Sequence, residues 1–83
     1  METNRNRQVT YQIHRHLGSL SVSKTGWSKE VNIVSWNDGR PRLDIREWDP
    51  EHEKMSRGVG LTGEETENLR ALLKDLEPAD LAI

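Results

Sequence analysis

Trp36 and Trp48 stand one hairpin apart, each closing a run in which residues of two kinds alternate. Arg42, Asp44 and Arg46 share the parity of Trp48, and Glu30, Asn32 and Val34 share that of Trp36. Aromatic rings interleaved with guanidinium groups on one surface suit an unpaired polynucleotide strand. Each base stacks on a ring for about 1–3 kcal/mol with little sequence preference, while cations neutralise phosphates. Lys29, Arg40, Lys54, Arg57 and a third tryptophan, Trp27, extend the same candidate set. Asp44 and Glu30 oppose it, because carboxylates repel phosphate. A strand tryptophan is more often a core residue, and an exposed aromatic face also suits a protein partner or a second subunit.

Other chemistry finds less support. His14 and His16 lie two apart, so on a regular strand they share a face with Gln12, opposite Tyr11 and Ile13. His52 follows in a loop, but two histidines without a firm third ligand are more often surface residues than a zinc site. Below a pKa of about 6.5 they would add positive charge to the open face. Asp49, Glu51 and Glu53 have the composition of a solvated turn. Ser35 and Ser56 have no histidine and acid placed nearby, and Gly58-Val59-Gly60 lacks the spacing of a phosphate loop. Neither catalysis, a cofactor, a metal nor a small-molecule substrate is expected.

The elements that must position these residues follow from alternation and punctuation. Val9, Tyr11 and Ile13 start a first strand. Leu20 and Val22 have the opposite parity, so Gly18 is a natural bulge. Lys24-Thr25-Gly26 turns into a second strand, Trp27 to Trp36, and Asn37-Asp38-Gly39 is a hairpin turn. Arg42 to Trp48 and Arg57 to Leu61 read as the third and fourth strands. Thr62 and Glu65 have capping-box spacing before an apolar stripe of Leu69, Leu72, Leu73 and Leu76, which Pro78 ends. The expectation is an α+β fold, β-β-β-β-α, with residues 9–77 as one domain between tails 1–8 and 78–83. A single leucine stripe covers one sheet face, and Val31, Ile33, Leu43, Ile45, Val59 and Leu61 are its obvious partners. Trp36, Trp48, Arg42 and Arg46 are then left on an uncovered face.

Composition bounds the rest. The chain has 83 residues, 33% of them hydrophobic, and no cysteine; its mean hydropathy is -0.87. A chain this short without disulfides is marginal as a monomer, so a homodimer is expected. Met1 to Gln8 reads as neither a signal peptide nor a membrane anchor, and a cytoplasmic location is the default expectation. The net charge is -2. Residues 1–57 carry ten basic and eight acidic side chains and residues 58–83 carry two and six, so the acid lies in the C-terminal part.

Three segments carry a family resemblance: Trp27 to Asp38 (WSKEVNIVSWND), Asp44 to Met55 (DIREWDPEHEKM) and Arg57 to Thr62 (RGVGLT). Together they resemble the C-terminal domain of the transcriptional coactivator positive cofactor four, and most closely its compact bacterial branch, the YdbC-like proteins. The likeness runs from about Tyr11 to Leu76. It implies a curved four-stranded antiparallel sheet followed by one helix, a homodimer built through the helices, and single-stranded DNA running across the sheets. By position, Arg46 and Trp48 look like a phosphate-binding arginine and a stacking aromatic. Trp36 looks like the aromatic ending strand two, Arg57 like the basic residue before the glycine of strand four, and Arg40 like a basic hairpin residue. Trp27 matches the bacterial branch. Val34 and Ser56 fall where eukaryotic members carry basic residues, and the serine-rich regulatory region of those members has no counterpart here. The expected function is single-stranded DNA binding with little sequence preference, in transcription regulation, replication or repair, by a protein that is not an enzyme. RNA binding and a protein-interaction module are the alternatives.

Overall fold

The computed structural model describes residues 9–82; the expected tail 1–8 lies outside them. Four strands are followed by one helix: β1 (Tyr11–Val22), β2 (Ser28–Trp36), β3 (Arg42–Trp48), β4 (Val59–Leu61) and α1 (Gly63–Lys74). The sheet order is β1-β2-β3-β4, with every neighbouring pair antiparallel. This is the expected α+β architecture, with a single 3-10 turn, Pro78–Leu81, after the helix.

Local chemistry sets the joints. Asn37 and Asp38 have φ of 51° and 63°, and the Gly39 N–H donates to the Trp36 carbonyl at 2.8 Å. Two positive φ values inside an i to i+3 bond are the mark of a type I′ turn, whose twist matches that of the flanking strands. At the start of α1, the Thr62 hydroxyl accepts from the Glu65 N–H at 3.1 Å while the Glu65 carboxylate accepts from the Thr62 N–H at 2.9 Å. Both halves of the capping box are therefore made.

β1 differs most from expectation. It is one 12-residue strand with three register shifts, between Ile13 and Arg15, between His16 and Gly18, and between Ser19 and Ser21. The second is the bulge expected at Gly18; the other two have no glycine to signal them. Each bulge bends the strand and raises its twist. Tyr11 pairs with Trp36 in the β1–β2 register, their rings 5.5 Å apart, and the sheet curls so far that the same ring also lies 5.4 Å from that of Trp48. In the β2–β3 register Trp48 pairs with Ser28. On a flat sheet it would therefore sit about 26 Å along the strand direction from Trp36.

The curl overturns the expected assignment of faces. The face expected to be open is the inside of the curve. Trp48 and Val34 are fully buried there, with Asn32, Asp44 and Glu30. The aliphatic face is not sealed by the helix. Val31, Ile33, Leu43, Ile45 and Leu61 are only half-buried and Val59 is exposed. No residue of α1 is buried, and Leu72, Leu73 and Leu76 are 73%, 53% and 41% exposed. The helix reaches only the β3–β4 side of its own sheet.

Trp48→Ala should therefore cost about 3–5 kcal/mol of stability, the range for removing a buried large aromatic. Trp36→Ala should cost clearly less, because that ring is half-exposed. Urea unfolding of the two variants checks this; equal losses would contradict the core placement of Trp48.

Candidate nucleic-acid interface

At the mouth of the curved face the Arg46 guanidinium lies over the Trp36 ring, 4.5 Å from its centroid. It is held there by two bonds to the fully buried Asp44 carboxylate, Nε to Oδ1 at 2.7 Å and Nη2 to Oδ2 at 2.8 Å. Nη1 donates to the Ser56 carbonyl at 3.3 Å. Residues 44 and 46 meet because side chains two apart on a strand share a face. Arg46 was expected to hold phosphate. Its side chain is only 15% exposed, its charge is matched by Asp44, and it packs on the Trp36 ring.

Gly58 has a packing role. It lets the chain entering β4 press on β3, since a Cβ there would run into the Arg46 side chain and lie 2.5 Å from the Ile45 carbonyl. Gly60 is open, and a Cβ there would meet nothing nearer than the Leu43 carbonyl at 3.9 Å.

The remaining expected site residues divide. Trp36, Arg40, Arg42 and Arg46 line one open groove of about 720 Å³ together with Asn37, Met55 and Gly60. Arg40 and Arg42 are exposed, and the ion pairs formed among the described residues do not involve them. Lys29 and Arg57 lie on the outer face, in a shallower groove of about 430 Å³ that also contains Glu47 and shares Arg46 with the first. Lys54 is exposed in the β3–β4 loop, which Asp49 Oδ1 ties together by accepting from the Glu53 and Lys54 N–H groups at 2.7 and 3.0 Å. These bonds hold the Asp49 carboxyl below its usual range. Trp27 is half-buried in the β1–β2 turn, next to Ser28, which pairs with Trp48. Trp48 is fully buried in the free protein. Its face is stacked on the His52 ring at 4.1 Å and 4°, so no platform is open there.

Sequence parity missed a second polar cluster. The bulge at His14 returns His16 to the same face as Ile13, where both line a cleft of about 250 Å³ with Glu30, Asn32 and His52. His16 Nδ1 lies 2.7 Å from Asn32 Oδ1, Asn32 Nδ2 donates to Glu30 Oε1 at 3.2 Å, and His52 Nε2 lies 3.0 Å from that same oxygen. His14 is separate, with Nε2 2.7 Å from the Ser35 hydroxyl. Burial pushes the Glu30 carboxyl up, but the bonds from His52 and Asn32, with the nearby imidazoles, outweigh it and hold the group below its usual value. No set of three side chains suited to a metal ion occurs among the described residues.

The family described as Transcriptional Coactivator p15 (PC4) matches residues 23–72. The chain belongs to that family. The matched stretch runs from the β1–β2 turn to Leu72 in α1, so it takes in the hairpin, Arg46 and the loop bearing His52. An uncharacterized protein of Treponema pallidum (strain Nichols) is 46% identical over 72 residues, covering 86% of this chain and 84% of that protein. Membership supports a DNA-binding, coactivator-like role and a DNA partner; the family is non-enzymatic and binds nucleic acid.

A carboxyl whose pKa is depressed on folding stabilises the fold above its unfolded value, about 4.3 for Glu. That contribution is lost as pH falls through the lower folded value. The stability gap between the wild type and Glu30→Gln should therefore be constant near neutrality and shrink below about pH 4. Urea midpoints at pH 7 and pH 3 test this; a gap that widens on acidification would be the wrong sign.

Proposed function

We propose that the protein is a non-enzymatic, homodimeric single-stranded DNA-binding protein with little overall sequence preference. The observation that carries this reading is the groove in which Arg40 and Arg42 flank Trp36 with no carboxylate partner among the described residues. A base stacks against the exposed part of Trp36 while the two guanidinium groups meet the phosphates on either side. Arg46 lines both grooves, so a strand leaving the first crosses the β4 edge toward Arg57 and Lys29. Lys54, in the adjoining loop, adds charge. Trp27, in the β1–β2 turn at the other end of β2 from Trp36, contacts a strand that extends beyond the groove.

The homodimer is supported by two apolar surfaces that one chain leaves uncovered, the leucine stripe of α1 and the outer sheet face. A twofold axis lets each copy supply both surfaces to the other, as a self-complementary interface requires. Leu73→Asp should yield a monomer by sedimentation equilibrium; an unchanged dimer would place the interface elsewhere.

Oligo-dT should quench tryptophan fluorescence at low salt and lose affinity as salt rises, by about 0.7 in log–log slope for each phosphate neutralised. Arg42→Ala should lower that slope by about one such step while leaving the urea midpoint unchanged, because Arg42 is exposed. Quenching with no salt dependence, or none at all from folded protein, would refute the reading.

A further inference from the structure

We propose that the cleft beside Trp48 is a base-specific subsite for a single unpaired guanine, occupied in the free protein by the ring of His52. This rests on the single-strand reading above and adds to it one position where sequence matters.

The free protein already shows what a flat heteroaromatic ring does there. The His52 imidazole is parallel to Trp48 within 4° at 4.1 Å. Its Nε2 edge lies 3.0 Å from Glu30 Oε1. A stacking face and an acceptor at the edge of the stacked ring are the two elements by which proteins read an unstacked base. The acceptor is built in. Glu30 is 8% exposed, Asn32 is fully buried and donates to Oε1, and His16 in turn holds Asn32. Glu30 Oε2 takes no hydrogen bond among the described residues. The carboxylate stays ionised at neutral pH, as its lowered pKa indicates.

An ionised carboxylate is acceptor-only and pairs best with two adjacent N–H donors. Guanine offers them, N1–H beside the 2-amino group. Adenine and cytosine place an acceptor nitrogen next to their amino group, and thymine sets its one N–H between two carbonyls. All three therefore bring a lone pair against the carboxylate.

His52 is suited to leave. Its side chain is 39% exposed, and the loop around it is closed by its own bonds, from the His52 N–H to the Asp49 carbonyl and from two further N–H groups to the Asp49 side chain. Its φ of 60° is one that non-glycine residues seldom adopt. Trp48 Nε1 is buried with no acceptor among the described residues, an unmet donor beside the slot.

His52→Gly removes the ring and suits the positive φ, so the variant should fold. Its affinity for oligo-dT carrying one central dG should exceed that for oligo-dT of the same length by about tenfold, within the range for one stacked base. Inosine, which lacks the 2-amino group, should lose part of the gain. Adding Glu30→Gln should remove it, and His52→Phe, which keeps a ring on Trp48 without the donor, should show no gain. The wild type should show the same preference, weakened by competition from His52. Equal affinity of folded His52→Gly for the two oligonucleotides, with normal oligo-dT binding, would overturn the guanine subsite alone. Failure to bind either oligonucleotide would overturn the single-strand reading and the subsite with it.

Discussion

Tyr11 joins the two ends of the sheet. Its ring touches both Trp36 and Trp48, which belong to opposite ends of the β2–β3 ladder. That contact exists only because three bulges in β1 coil the sheet. Everything else in the chain takes its place from this closure. It makes one face an interior, seals Trp48 inside, and leaves Trp36 at the rim with one side held by Arg46. It also leaves the helix with nothing of its own to bury.

The interior so formed is unusually polar. Asn32 and Asp44 face each other across the β2–β3 ladder, both fully buried, with Glu30 beside them. Desolvating such groups costs several kcal/mol each unless they are paired, and even a well-paired buried ion pair contributes little net stability. Each is engaged, Asp44 by the Nε and Nη2 donors of Arg46 and Glu30, through Oε1, by His52 and Asn32. What the arrangement adds is register. A slip of one residue between β2 and β3 would turn Asp44 and Arg46 outward together and take Arg46 off the Trp36 ring on β2. The outer sheet face and the leucine stripe of α1, by contrast, are left largely uncovered.

Features governed by neighbours in sequence were legible from the residues alone. The turn at Asn37 and Asp38, the Thr62–Glu65 cap and the order of four strands and a helix depend on contacts within a few residues. Parity along β2 and β3 was also legible, since their ladder has no bulge. Two things were not. Two of the bulges in β1 carry no glycine, so alternation placed His16 with the wrong neighbours. And parity says which residues share a face, not which face is inside. The aliphatic set looked like the core because it is the more apolar; the curl of β1 put the tryptophan set there instead. Of the residues read as an interface, Trp36, Arg40 and Arg42 line one groove. Arg46 was placed correctly, but its partner Asp44 was counted as a repelling charge when it is a neutralised one.

That last point bears on how a chain of net charge -2 meets a polyanion. The carboxylates that argued against binding, Asp44 and Glu30, are both interior and both engaged. Neither projects a full charge into the groove. Arg40 and Arg42 face solvent at the same mouth with no such partner among the described residues. Beyond about 10 Å at moderate ionic strength, charges elsewhere on the surface are largely screened. A phosphate entering the groove therefore responds to the two nearby guanidinium groups rather than to the formal sum. Internal neutralisation separates the local field from the net charge. Internal pairing of the buried carboxylates thereby leaves an acidic protein with a cationic groove.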